Sequence, residues 1–261
     1  MLSTALIVGG LLVLVDAGLT LAWQEPLSAL YAVIRQDRLS GDLTRLERSP
    51  PSPLELGALS RLASEQRRIA YLARTLARRA RAGSAVGRIR IPHIGANFVV
   101  VDGTSPSDLR GGPGLYPSNP FPGSPGTVAI AGHRTTYLAP FRHVDSLRHG
   151  DVIVVDMPYG RFTYAVEGIR IVKPSDVGVI RSVGYDRLVL SACHPLYSAA
   201  ERIVVFARLQ RTVPSGRALA VVDARRPSSG LVGGALTPTP LGGQRLSTPP
   251  PAPSQAVAGG R

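Results

Sequence analysis

The distribution of apolar and polar positions divides the chain into four segments, and the first is almost wholly apolar. Residues 1–23 are interrupted only by Asp16 and a few hydroxyl side chains. About twenty apolar residues are enough to cross a bilayer as a helix, so we interpret this run as a transmembrane anchor. It lacks a basic leader and a cleavage site, which favours an uncleaved anchor. A buried N-terminal helix is the alternative, because a carboxylate inside a membrane span is unfavourable.

Residues 24–85 show helical periodicity and many arginines. Apolar positions recur at helical spacing from Gln24 to about Leu46, and the proline-rich stretch Ser49–Pro53 ends that pattern. A second helix is predicted over Leu54–Arg81. Its arginine-rich face leaves three interpretations: a solvated stalk, a helix on the membrane surface, or an amphipathic helix packed on the following domain.

Residues 86–214 change to short runs with β character, separated by Gly, Pro and Asn. Seven or eight such strands with no long helix between them predict a mainly β domain, a barrel or a sandwich. Pro158–Gly160 predicts a hairpin turn. The predicted strands are Arg88–Ile91, Asn97–Val101, Thr127–Ala131, Asp151–Met157, Arg161–Val172, Arg187–Leu190 and Arg202–Arg208.

Residues 215–261 form a tail in which the β pattern fades. From Arg225 onward the composition is dominated by Pro, Gly, Ser, Thr and Ala, without acidic or aromatic residues. Such a segment buries too little apolar surface to offset its chain entropy, so we predict that it is disordered.

The positive charge of the chain indicates which classes of binding partner to expect. The net charge is +13, and residues 35–90 hold thirteen arginines against five carboxylates, a local charge of +8. A basic segment beside an apolar run suits anionic lipid or an anionic cell wall. We do not predict nucleic-acid binding, because the chain has no helix-turn-helix, zinc-finger or aromatic RNA-stacking motif.

Cys193 is the chain's single cysteine, which excludes an internal disulfide and a cysteine-based zinc site. It follows an apolar run at a predicted strand end, as His133 does, and Arg202 opens the next run nine positions later. An antiparallel pair would place Cys193 and Arg202 opposite each other. A thiol, an imidazole and a guanidinium suit nucleophilic acyl transfer. A buried thiol, a loop histidine and a surface arginine are the alternatives that these residues leave open.

At these residues the chain resembles the sortase family, and class E sortases of actinobacteria in particular. Three motifs carry the resemblance, and a first-strand segment at Arg88–Pro92 agrees with it. The motifs are Ala131-Gly132-His133-Arg134-Thr135-Thr136-Tyr137 with Ala139-Pro140-Phe141, then Leu190-Ser191-Ala192-Cys193-His194-Pro195, and Glu201-Arg202-Ile203-Val204-Val205.

The resemblance implies an eight-stranded β-barrel on the outer face of a Gram-positive membrane, held by the N-terminal anchor. It implies a cysteine transpeptidase that cleaves an LPxTG- or LAxTG-like sorting signal between Thr and Gly. A cell-wall precursor or a pilin lysine then supplies the acceptor amine. No cofactor or metal is implied. Cys193 is then the nucleophile, His133 the acid and base, and Arg202 the oxyanion ligand, with Ala192, Ser191 and Tyr137 assigned to substrate binding.

One position departs from the family pattern. Where sortases usually have a threonine before the cysteine, this chain has Ala192. That difference keeps open a catalytically inactive sortase fold acting as a scaffold. An unrelated L,D-transpeptidase-like cysteine enzyme is a further alternative, although its His-Gly pair before the cysteine is missing. His194 is a second candidate base, which strand alternation disfavours.

Overall fold

The computed structural model describes residues 2–22 and 26–219, in which helices precede a β-barrel. The predicted tail beyond position 219 lies outside the described residues. The helices are α1 (Leu2–Ala22), α2 (Pro26–Arg48), α3 (Pro53–Arg61), α4 (Glu65–Arg79) and α5 (Pro106–Leu109). The strands are β1 (Ala85–Ile91), β2 (Ala96–Asp102), β3 (Gly114–Leu115), β4 (Thr127–Ala131), β5 (Val152–Met157), β6 (Gly160–Val172), β7 (Arg187–His194) and β8 (Glu201–Pro214).

Helix α1 corresponds to the predicted anchor, whose end residues Met1 and Trp23 lie outside the described part. Its apolar side chains from Leu6 to Val15 are more than half exposed. Within residues 2–22 and 26–219, no helix meets the length and hydropathy needed to cross a bilayer.

The second predicted helix is two helices, so the prediction of one continuous helix over Leu54–Arg81 was wrong. Ser52 and Glu55 cap the start of α3 reciprocally, each side chain accepting a hydrogen bond from the other residue's backbone N–H. Leu62 then adopts an extended conformation, and the Ser64 hydroxyl caps α4 by accepting from the backbone N–H of Arg67 at 3.2 Å. The second cap starts a new helix that the apolar periodicity alone did not separate from the first.

Helices α2 to α4 pack on the barrel and do not form a separate stalk. Leu59 of α3 and Ile69, Leu72 and Ala73 of α4 are buried in the same core cluster as the barrel side chains. On another face, α2 contributes Leu39 and Leu43 to a smaller cluster with Ala85, Val99 and Val101. Of the three interpretations of the basic region, the packed amphipathic helix matches these contacts.

The eight strands close into a barrel with the order β1-β2-β3-β4-β7-β8-β6-β5, and β5 returns to β1. This confirms the predicted mainly β, eight-stranded architecture, including the β5–β6 hairpin that turns at Pro158–Tyr159. The strand that sequence patterning missed is β3, because two residues are too few to show an alternation. Strands β4 and β7 run parallel, although 55 residues of chain separate the end of β4 from the start of β7.

Alternation along β4, β7 and β8 gives these strands two apolar faces. Inward-facing side chains, among them Leu188, Leu190 and Val205, fill the main core. Outward-facing side chains form a second cluster, covered by the segment that joins β6 to β7 through Val179 and Ile180. The members of that outer cluster are Ala129, Val189, Val204 and Phe206. The outer sheet face is therefore a second packing surface, and the candidate site lies at its edge.

Candidate active site

Cys193 and Arg202 occupy directly opposed positions on two antiparallel strands. Cys193 is the last residue but one of β7, Arg202 is the second residue of β8, and they are register partners. Directly opposed residues project to the same face, with Cβ atoms about 4.5–5.5 Å apart. The Cys193 side chain is half-buried and free of any disulfide. The two side chains thus share one face of the sheet at the rim of the barrel, as the nine-residue spacing predicts.

His133 is brought to the same rim by the parallel pairing of β4 with β7. Ala131 is the register partner of Ser191, and the Gly132 backbone N–H donates to the Ser191 carbonyl at 3.0 Å. His133 and Cys193 each lie two positions beyond that last pair. Both residues therefore follow neighbouring, paired strands at the same end of the barrel, and such strands lie about 4.8 Å apart.

The imidazole of His133 is half-buried. Its Nε2 atom is buried and has no hydrogen-bond partner among the described residues. The ring of Tyr137 lies against it, with the ring centroids 5.2 Å apart. Burial lowers the pKa of His133, and the positive charge of Arg110 lowers that pKa further. The neutral imidazole is therefore favoured in the resting protein, with one nitrogen available for a proton.

Arg202 is oriented by the turn between β7 and β8. Its Nη1 atom donates to the carbonyl oxygens of Ala199 and Glu201, each at 2.9 Å. A guanidinium has five N–H donors in a fixed plane, so bonding through Nη1 fixes the direction of the rest of the fork. Since Arg202 opposes Cys193 in register, both side chains belong to the same face of the sheet, and a guanidinium is a suitable donor to an oxyanion.

Arg134 is a site residue that sequence reasoning overlooked. Its side chain is 2% exposed and forms an ion pair with Asp145, with Nη2 to Oδ2 at 3.0 Å. The same guanidinium donates to the Arg142 carbonyl at 3.1 Å and, through Nη1, makes a long contact of 3.5 Å with the Cys193 carbonyl. It thereby ties the His133 loop to the end of β7. Its position beside His133 was the available signal, but a chain with so many arginines gave no reason to expect a buried one.

The three residues assigned to substrate binding lie on different surfaces. Ser191 is buried and faces outward on β7, on the same face as Cys193. Ala192 is 4% exposed and belongs to the inward core cluster, so its side chain points away from the thiol. Tyr137 lies against His133. A methyl group at Ala192 suits its apolar surroundings, where a hydroxyl would need a buried partner.

His194, the second candidate base, contacts Arg134 and does not share the face of Cys193. Its register partner is Glu201, and its Nδ1 lies 3.3 Å from Nη1 of Arg134. Alternation along β7 directs its side chain to the opposite face from Cys193. Within residues 2–22 and 26–219, moreover, no group of three or more His, Cys, Asp or Glu side chains is arranged to hold a metal ion.

We expect Arg134→Met to lower the kcat of a peptide-cleavage assay roughly 10- to 100-fold, because a shift of about 1 Å in catalytic geometry has effects of that size. Methionine fills a similar volume but cannot hold the His133 loop against β7. Arg148→Met, a change at an exposed arginine in the same connection, is the matched control. Equal kcat in the two variants would show that Arg134 does not position the site.

Comparison with known proteins agrees with this geometry. Residues 89–210 match the family model of the sortase domain. Sortase D of Bacillus subtilis is 32% identical over 130 residues, which are 48% of this chain and 64% of that protein. Sortase SrtE1 of Streptomyces coelicolor is 31% identical over 101 residues, 35% of this chain and 29% of that protein. The chain thus spans less than two thirds of the length of these curated relatives.

A solved sortase structure is also similar to this chain in its fold. The SrtF sortase from Corynebacterium diphtheriae superposes with a TM-score of 0.50 and 27% identity, covering 52% of this chain and 89% of that chain. The matched region includes β4, β7 and β8 with the cysteine, histidine and arginine described above. Residues 89–210 thus match a sortase domain, and over this region the chain is similar to members of the sortase family.

Proposed function

We propose that the chain is a cysteine transpeptidase that cleaves a C-terminal sorting signal between Thr and Gly and transfers the acyl group to an amine. The observation that carries the proposal is the direct opposition of Cys193 and Arg202 across β7 and β8. The parallel pairing of β4 with β7, which brings His133 alongside, supports it. These three side chains supply a nucleophile, an oxyanion ligand and a proton carrier at one strand end.

In the first half-reaction, the Cys193 thiolate attacks the threonine carbonyl carbon. The carbonyl oxygen becomes an oxyanion that the Arg202 fork stabilises. As the C–N bond breaks, His133 gives its proton to the leaving amine of glycine, and a thioester remains. Because burial lowers the pKa of His133, the resting imidazole is mainly neutral. Proton transfer from Cys193 to His133 forms the reactive pair of thiolate and imidazolium.

In the second half-reaction, an acceptor amine attacks the thioester while His133 takes a proton from it. The C–S bond breaks, a new amide bond forms, and the thiolate is released. Ser191 and Tyr137 flank the reacting groups and are proposed to contact the signal peptide. The side chain of Ala192 lies in the core, so any contact of this residue with the peptide involves its backbone.

We further propose that the enzyme belongs to the class E group, is held at the outer face of the membrane through residues 1–23, and acts on secreted proteins with LPxTG- or LAxTG-like signals. The sequence motifs around His133 and Cys193 and the match to SrtE1 support the class. The exposed apolar side chains of α1 support a membrane attachment. A peptidoglycan precursor or a pilin lysine is the proposed amine.

The test is direct detection of the acyl-enzyme. We expect the purified full chain, mixed with an LAxTG peptide in the absence of an amine, to gain the mass of the peptide's acyl fragment at Cys193. Triglycine or a lysine derivative should then release this adduct as a new amide. A scrambled peptide is the control for specificity, and an LPxTG peptide compares the two signals. A chain that gains no adduct from either signal would favour the inactive scaffold.

A further inference from the structure

Helix α2 is bound to the barrel by polar contacts as well as by its apolar side chains. The Gln36 amide lies against β2, where its Oε1 accepts from the Val99 backbone N–H at 2.7 Å and its Nε2 donates to the Val99 carbonyl at 3.0 Å. The Ser40 hydroxyl accepts from Nη2 of Arg88 at 2.9 Å. Gln36 thus supplies Val99 with the two backbone hydrogen bonds that a neighbouring strand would otherwise make. These bonds fix the position of α2 along the barrel wall and its rotation about its own axis.

The N-terminal end of this fixed helix reaches the loop that follows His133. Tyr31 of α2 packs edge-on against Tyr137, with ring centroids 6.2 Å apart at an angle of 75°. On the turn before it, the Ser28 hydroxyl accepts from the Tyr137 backbone N–H at 3.4 Å. Two contacts, one to the ring and one to the backbone, therefore connect α2 to a single loop residue.

The loop at this point has an unusual backbone. Tyr137, Leu138 and Ala139 have φ values of 50°, 63° and 41°, three successive non-glycine residues in the left-handed region. Such a conformation persists only where the surrounding structure enforces it. On one side, the buried Ala139 and Phe141 enforce it by packing into the domain. On the other side, Tyr137 is held from outside by α2.

Tyr137 in turn contacts His133, with ring centroids 5.2 Å apart. Since Nε2 of His133 has no hydrogen-bond partner among the described residues, no polar contact at that atom fixes the plane of the imidazole. The Tyr137 ring is then the neighbour that sets its orientation. Contacts therefore run without interruption from α2 to the imidazole.

We infer that Tyr31, on a helix outside the barrel, is a positioning residue that holds His133 in its productive orientation through Tyr137. The inference rests on the proposed function, because His133 must meet Cys193 and the leaving amine. It makes the helix next to the proposed anchor part of the active site. An orientation set by contacts between aromatic rings requires the Tyr31 ring but not its hydroxyl.

Steady-state kinetics of the full chain test this role. We expect Tyr31→Ala to lower kcat about tenfold and to raise KM less than kcat falls. Proton transfer depends steeply on alignment, whereas Tyr137 is only one of the proposed peptide contacts. Tyr31→Phe keeps the ring and should retain kcat within about twofold of the parent. Val33→Ala, at an exposed position of the same helix, is the matched control. Tyr31 is about half exposed, so Tyr31→Ala should remain folded, which thermal melting checks.

A double-mutant cycle identifies the route. If Tyr31 acts through Tyr137, Tyr31→Ala should cause no further loss of kcat in a Tyr137→Ala background. Additive losses, or an unchanged kcat in Tyr31→Ala, would overturn the inference while leaving the transpeptidase proposal intact.

A readout independent of activity is the NMR signal of the His133 ring, assigned with a His133→Gln variant. This signal should shift in Tyr31→Ala and stay in place in Tyr31→Phe and Val33→Ala. If the parent chain forms no acyl-enzyme, the proposed function fails. The chemical shift of the His133 ring then tests the positioning role of Tyr31 without any activity measurement. An unchanged chemical shift in Tyr31→Ala would overturn that role.

Discussion

Cys193→Ala is expected to abolish acyl-enzyme formation and signal-peptide cleavage, to below about one part in a thousand of the parent rate. The Cys193 sulfur is the only protein atom that bonds covalently to the substrate in the proposed reaction, and a methyl group cannot replace it. The fold should survive, because Cys193 is half-buried at a strand end and makes no disulfide. Mass spectrometry measures the adduct, and circular dichroism with thermal melting confirms that the variant is folded.

The single cysteine makes this experiment unusually clean. Any thiol reagent that labels the parent chain labels Cys193, since the sequence has no other cysteine. Labelling should prevent peptide cleavage in proportion to the fraction modified. If Cys193→Ala still converted the signal peptide to the same product, the nucleophile would have to be another group, and the transpeptidase proposal would be wrong.

Arg202→Lys is expected to have the second large effect. We expect kcat/KM to fall about 100- to 1,000-fold, because the removal of one oxyanion donor has an effect of this size. Arginine and lysine carry the same charge, so a fall in kcat/KM would result from the changed geometry of the hydrogen-bond donors. Arg202 bonds the turn carbonyls of Ala199 and Glu201 through Nη1 and keeps its other N–H donors for an oxyanion. A lysine ammonium has no planar fork with which to do both.

A matched control for Arg202→Lys lies on the same strand. Arg211 is exposed on β8, nine residues further along, and Arg211→Lys should leave kcat/KM within about twofold. Cleavage of the signal peptide at several concentrations separates kcat from KM. If the lysine variant at position 202 turned over as fast as the variant at position 211, Arg202 would have no part in stabilising the oxyanion.

The core of the site could be predicted from sequence because it depends on strand periodicity. A separation of nine positions from Cys193 to Arg202 is enough for a turn between two antiparallel strands, and alternation then fixes which side chains share a face. The structure has that register, with Val204 and Phe206 on the outer face. The parallel alignment of β4 with β7 has no local signal, so it was the resemblance to the sortase family that brought His133 into the site.

The contacts around the site could not be read from the sequence. Arg134 and Arg202 belong to the same residue type, and only the tertiary packing buries the first and leaves the second at the rim. Tyr31 was placed correctly on a helix, but helical periodicity does not specify the surface on which that helix docks. The two-residue strand β3 and the helix boundary at Ser64 fall below the length at which periodicity is detectable.

The parallel pairing of β4 and β7 has a consequence for how the protein acquires activity. These strands form a contact between segments about sixty positions apart, one of the last kinds of contact to form because the entropy of closing a long loop must be overcome first. This pairing brings together the two strand ends that carry His133 and Cys193. A chain that is still folding can therefore contain formed hairpins and a reactive thiol, yet it becomes a competent catalyst only when its barrel closes.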